Sequence, residues 1–149
     1  MPHYIAWYIP NKVYYLQVWG ETEALVIPEI AKALEELLGH NPTPRVHGII
    51  DLTHHRSKDL KLGAVLKEVR KLQHLIRHLD WTLVVVDQVA PSNKMIAAIA
   101  HILGFQVRFF DKPEEAMAFL NQQDASLPPL RALFAAYKAK HFKTEVSAT

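Results

Sequence analysis

The sequence predicts one α/β domain with a single mixed, mostly parallel five-stranded sheet and an extra C-terminal helix. Three observations lead there. Short apolar runs of strand length alternate with longer stretches of helical periodicity. The first two runs are separated only by a turn, "PNK", so the sheet opens with an antiparallel hairpin. The later runs, "RVHGIIDL" and "WTLVVVD", are nearly continuous in apolar character, as strands covered on both faces are.

Tyr4 to Ile9 and Val13 to Trp19 are rich in β-branched and aromatic residues and form the expected hairpin, with Gly20 ending its second strand. Ile27, Ile30, Ala31, Leu34, Leu37 and Leu38 follow helical spacing, and Gly39 supplies a stop. This predicts a helix over 22–38, or one beginning near Pro28, since proline suits a first turn. Val46 to Leu52 is the third strand. A loop with His54 and His55 follows, then a second helix from about Leu60 to His78 with Leu62, Leu66, Val69 and Ile76 in one stripe. Trp81 to Asp87 is the fourth strand. "APSNKMIAAIAHILG" is a third helix, apolar around most of its surface, and Gln106 to Phe110 is the fifth strand. A fourth helix spans Asp111 to Asn121, with Asp111 and Glu114 at capping-box spacing. "DASLPP" breaks the chain before a last helix, Leu130 to about Phe142, so residues 1–123 are expected to form the α/β domain and 124–149 a linker, an amphipathic helix and a polar tail. The order β-β-α-β-α-β-α-β-α implies parallel strands joined by right-handed crossovers.

Composition narrows the chemistry. The 149 residues are 50% hydrophobic and 21% charged, ordinary for a globular protein, and they include no cysteine, which excludes disulfides, thiolate metal sites and cysteine nucleophiles. The first ten residues lack a basic region and a long apolar run, so no signal peptide is expected and the cytoplasm is the expected location. No glycine-rich phosphate or dinucleotide loop and no Gly-x-Ser-x-Gly elbow is present. The net charge of +2 is unevenly spread: residues 56–78 hold seven Lys/Arg against two Asp/Glu.

The order of elements and the strings "NKVYYLQVWGE", "IAKALEELLG", "GIIDL", "LGAVL" and "QVRFFDKPEEAMAFL" resemble the STAS superfamily, and within it the SpoIIAA-like branch, over roughly residues 4–121. The resemblance implies a STAS-like fold and a binding module in place of an enzyme. In anti-sigma factor antagonists it implies a phosphoacceptor Ser after an Asp at the start of the second helix. Asp59 matches that Asp, but Leu60 follows it, and Ser57 is only a nearby candidate, so no phosphoacceptor is assigned. The SpoIIAA-like branch, and the topologically similar CRAL-TRIO lipid-transfer domains, imply a second role, binding an apolar ligand or a membrane surface.

Asp51, Asp87 and Asp111 end three strands, where ligands of open α/β sheets bind, and three carboxylates there suit Mg²⁺; the simpler expectation is that each caps or turns the chain. A metal-dependent enzyme built on them is the third-ranked function. His74 and His78 share a helix face but have no third ligand, and Asp51 with His54 or His55 has no nucleophile to serve. No cofactor and no metal is expected. The basic segment is the strongest signal: His54, His55, Arg56, Lys58, Lys61, Lys67, Arg70, Lys71 and Arg77 form the expected partner surface, with an acidic protein the first choice and anionic membrane an alternative. Nucleic acid is disfavoured because no aromatic residues interleave the charges. Met95, Ile96, Ile99 and Ile102 on the third helix, with Leu130, Leu133, Phe134 and Tyr137 on the last, form the expected ligand or homodimer surface; the third helix is expected to be buried on more than one side, and docking of the last helix on its own domain or on a second subunit is the plainer expectation than a membrane.

Overall fold

The computed structural model describes residues 3–22, 27–39, 45–57, 67 and 70–141; for 19–22, 27–30, 54–57 and Ser92 it describes the backbone alone. The strands are β1 (His3–Ile9), β2 (Val13–Thr22), β3 (Val46–Ser57), β4 (Leu79–Val85) and β5 (Gln106–Phe110). The helices are α1 (Ile27–Leu38), α2 (Pro91–Ile102), α3 (Pro113–Gln123) and α4 (Leu130–His141), with a 3-10 helix at Gln73–His78. The sheet runs in the order β1-β2-β3-β4-β5; β1 is antiparallel to β2 and every other pair is parallel. This is the mixed five-stranded α/β sheet that the sequence predicts.

The hairpin turn works because Asn11 takes the left-handed conformation (φ 62°), which its short polar side chain tolerates, while Lys12 N–H closes the turn on Ile9 O at 3.0 Å. β2 and β3 both outrun their expected ends. β2 continues through Gly20 to Thr22, and β3 through His54, His55, Arg56 and Ser57, because these two tails pair with each other. The expected loop at His54 is therefore strand. α1 starts at Ile27 with Pro28 in its first turn. α3 starts at Pro113, one residue after Lys112, whose extended backbone (φ −140°, ψ 135°) is the conformation a following proline imposes; no side chain caps this helix, so the expected Asp111 cap is not made. The end of the expected second helix is α-helical at Lys67, Arg70 and Lys71, then turns at Leu72 into the 3-10 segment. Residues 58–66, 68 and 69, which include Lys58, Lys61 and Leu60, lie outside the described residues.

Strands laid down one beside the next by right-handed crossovers put every connecting helix on the same face of the sheet. The core follows this rule. Tyr14, Leu16, Val18, Val46 and Ile50 pack under α1 (Leu34, Leu38), the 3-10 helix (Leu75) and α2 (Ala100). The other face carries Tyr8, Val13, Tyr15, Ile49, Leu83 and Val85, and only the chain after β5 is left to cover it. α3 (Ala116, Met117, Leu120) and α4 (Leu130, Phe134, Tyr137) do so.

The last helix is thus a structural layer of the domain. Asn121 holds its entry, donating from Nδ2 to Pro128 O (2.8 Å) and accepting Leu130 N–H on Oδ1 (3.0 Å). Tyr8 donates to Leu130 O, and its ring meets Tyr137 at 4.8 Å between centroids. At the far end Tyr137 stacks on His141 at 4.2 Å, and the Tyr4 hydroxyl lies 2.9 Å from His141 Nδ1. Burial first, and the Lys140 charge second, favour the neutral form of His141.

Candidate functional site

In a sheet of this type the carboxyl ends of the parallel strands are the first place to seek a site. The sequence predicts that Asp51 ends β3, but β3 runs on to Ser57 and Asp51 lies mid-strand, level with the end of β4; it is 2% exposed and in register with Gln17 of β2 and Val85 of β4. Between the Gln17–Asp51 and Trp19–His54 pairs, β3 advances three residues while β2 advances two, a bulge. Asp51 organises it. Its Oδ1 accepts the Thr53 N–H at 3.0 Å and the Thr53 hydroxyl at 2.5 Å, and its Oδ2 accepts the Tyr15 hydroxyl at 2.6 Å. Burial, and then the Asp51 charge, push the Tyr15 hydroxyl well above the usual phenol range. Both carboxylate oxygens are thus engaged by groups of the same chain. Asp87 and Asp111 are exposed, and among the described residues no group of three or more His, Asp or Glu side chains is placed to hold a metal ion.

A second polar cluster lies at the amino end of the sheet. His47, 5% exposed, accepts the Trp81 N–H on Nδ1 (3.3 Å), which leaves its proton on Nε2, 3.0 Å from Asp124 Oδ2. Asp124 Oδ1 accepts the N–H (3.0 Å) and hydroxyl (2.6 Å) of Ser126. Ser126, and after it His47, hold the Asp124 carboxyl down at about 2. Serine and histidine sit on opposite oxygens of one carboxylate, so the histidine does not meet the hydroxyl as a nucleophile's base must. The cluster instead anchors the linker before α4 to the start of β3.

The polar surface between β3 and β4 is basic. Lys67, Arg70, Lys71 and Arg77 are all exposed. His74 lies among them, with Nδ1 2.9 Å from Lys71 O and Nε2 2.9 Å from Glu35 Oε1 of α1. A neutral ring donates to only one of these two acceptors; the doubly protonated ring donates to both. The segment abuts the end of α2: Gln73 Nε2 donates to Leu103 O at 3.3 Å, and a Cβ on Gly104 would lie 3.2 Å from Ile76 Cδ1.

A solved structure shares this fold. An uncharacterised protein of the DUF3478 family with a SpoIIAA-like fold, from Shewanella loihica PV-4, superposes with a TM-score of 0.55 at 14% identity, over 80% of this chain and 92% of that one. The chain has a SpoIIAA-like fold. The anti-sigma factor antagonist SpoIIAA in its unphosphorylated form (TM-score 0.45, 12% identity, 85% of this chain and 100% of that one) and the Bacillus cell fate determinant SpoIIAA in its phosphorylated form (TM-score 0.44, 12% identity, 80% and 99%) are further similar structures. No protein-family model and no curated protein sequence matches the chain.

On this SpoIIAA-like fold the sequence-predicted residues separate into distinct places. Lys67, Arg70, Lys71 and Arg77 share one exposed segment. His54, His55, Arg56 and Ser57 are β3 backbone, with side chains outside the described residues, as are Lys58 and Lys61 entirely. The two apolar stripes face opposite sides of the sheet. On α2, Met95 is 53% and Ile102 82% exposed, while Ile96 and Ile99 are half-buried. The expectation that this helix is buried on more than one side fails, because α4 packs on the other face. On α4, Leu130, Phe134 and Tyr137 belong to the core and only Leu133, 41% exposed, remains at the surface. An apolar stripe spent on its own sheet is not available to lie on a membrane or a second subunit. Among the described residues no helix is long and apolar enough to cross a membrane. Sequence reasoning passed over Tyr15 and Thr53 as partners of Asp51, and Asp124 as the partner of His47. The alternation of Val13, Tyr15 and Gln17 carries a signal for the first, but only the register connects it to Asp51.

Proposed function

We propose that the chain is a non-catalytic, STAS-like regulatory module that binds an acidic protein partner through the basic segment between β3 and β4. The observation that carries this reading is the exposure of Lys67, Arg70, Lys71 and Arg77 on one segment of a SpoIIAA-like fold. Four cations over residues 67–78, with Glu68 the one acidic residue among them, create a positive field that attracts and orients an acidic surface. Two hydrogen-bonded acid groups support a binding role in another way. Asp51 and Asp124 are spent on holding β3 and the α4 linker, so they build scaffold.

The test is K67E/R70E/K71E in the full chain. Tagged wild-type protein is expected to capture a partner whose purified form binds it in a salt-sensitive manner, and the reversed variant is expected to lose it. Equal capture by both proteins, with unchanged affinity for the purified partner, refutes the proposal.

A further inference from the structure

The basic segment is continuous with an exposed apolar ridge, and their combination specifies more than charge. α2 presents Lys94, Met95, Ala98, His101 and Ile102 to solvent, one face of the helix by the 3.6-residue period. Met95 and Ile102 stand seven residues apart, about 10 Å along the axis, with the small Ala98 as a notch between them. The end of α2 touches the 3-10 helix through Gln73–Leu103 and Ile76–Gly104, so the exposed segment that carries Arg70, Lys71 and Arg77 runs alongside the Ile102 end of α2, with Glu35 of α1 held at His74 on its other side. Neither α2 nor the stretch from Arg70 to His78 contains an Asp or Glu.

We infer that this surface takes an acidic amphipathic helix, whose apolar side chains seat on the Met95–Ala98–Ile102 ridge while its carboxylates meet Arg70, Lys71, Arg77 and Lys94. The inference rests on the acidic-partner reading above and adds the apolar anchor. A ridge of this length matches the i, i+3, i+4, i+7 face of a partner helix. The rim decides the occupant. A second copy would bring Lys94 and His101 against the same basic rim and oppose like charges. A membrane would need a longer apolar face than two large side chains provide.

The probe is a fluorescein-labelled helical peptide of Glu and Leu with leucines at i, i+3, i+4 and i+7, compared by anisotropy with the same peptide carrying alanines at those positions. Wild-type protein is expected to bind the leucine peptide at least about tenfold more tightly, and I102A and M95A to weaken it about tenfold each, as truncated anchors do. R70E/K71E should weaken both peptides and flatten the salt dependence. Both substituted apolar side chains are exposed, and circular dichroism checks that each variant is folded. Equal binding of the two peptides, insensitive to I102A but lost in R70E/K71E, overturns the anchor and leaves the acidic-partner reading standing. Binding of neither peptide overturns the anchor, and unchanged partner capture by K67E/R70E/K71E would remove the parent reading separately. A concentration-dependent dimer that I102A dissolves, or flotation with phosphatidylglycerol vesicles that I102A abolishes, would assign the ridge to a second copy or a membrane and overturn the inference.

Discussion

Gly48→Ala tests how the core of the helix-bearing face is built. Gly48 lies in β3, in register between Tyr14 of β2 and Thr82 of β4. The Tyr14 ring lies directly over it. A Cβ added at Gly48 would meet ring carbons and the hydroxyl of Tyr14 far inside the 3.0 Å that real Cβ atoms keep. Tyr14 is fully buried among Leu16, Leu34, Leu38, Val46 and Ile50, so its ring has no open space to enter. Either Tyr14 leaves its rotamer or β3 moves away from its neighbours, and overpacking of this kind costs about 3 kcal/mol, the upper part of its usual range. Tyr14→Ala alone removes the ring and costs about 3–5 kcal/mol, as aromatic truncations in cores do. The two losses cannot add. Once the ring is gone the new methyl meets no clash, so the double variant should cost about 4 kcal/mol, with a coupling of about 2–3 kcal/mol. Urea unfolding followed by tryptophan fluorescence and far-ultraviolet circular dichroism measures each value by linear extrapolation. Losses that add to within about 0.5 kcal/mol, or a nearly silent Gly48→Ala, would refute the stacking of Tyr14 on Gly48.

Phe134→Ala should destabilise the whole domain by about 3–5 kcal/mol, in one transition, because Phe134 packs against Tyr15 (5.9 Å between centroids) and Tyr8 (6.4 Å) on the sheet. Leu133→Ser, on the exposed side of the same helix, should stay within about 0.5 kcal/mol of wild type; separate melting of α4 in either variant would show that it is not part of the core. Asp124 has its carboxyl lowered from 3.8 to about 2 in the folded protein. A depressed acid stabilises the fold above its unfolded value and loses that contribution as pH falls, so Asp124→Asn should be less stable than wild type at neutral pH and the difference should close between about pH 4 and pH 2. A pH-independent difference in unfolding midpoint would remove Asp124 from this role.

The local signals in the chain were sufficient for the order of elements. Period-2 and period-3.6 patterns, "PNK", Gly39, Gly104 and the prolines at 28, 91 and 113 are read over a few residues, and the five strands and the helices they mark at 27–38, 91–102, 113–123 and 130–141 are present; of the expected second helix only the end is described, and its last six residues are 3-10. The basic surface was legible for the same reason, since Arg70, Lys71 and Arg77 are neighbours in sequence. Strand ends, caps and the polar clusters were not legible. β2 and β3 lengthen because their tails find each other, and Asp51 is buried because Tyr15, 36 residues away, reaches it. His47 pairs with Asp124 across a separation of 77 residues.

The clearest division concerns the two apolar helices. By sequence both carry apolar stripes, α2 expected to be buried on more than one side and α4 expected to dock on its own domain or on a second subunit. The sequence by itself determined that both are helices with an apolar stripe, and that the chain passes from a mixed sheet into them. Only the tertiary structure decided which stripe is used. Crossovers of one hand place α1, the 3-10 helix and α2 together and leave the opposite face of the sheet bare. The chain beyond β5 must cover that face, so Leu130, Phe134 and Tyr137 go into the core while Met95 and Ile102 stay in solvent. No local pattern encodes that outcome, because it follows from how strand order and handedness distribute helices over two faces.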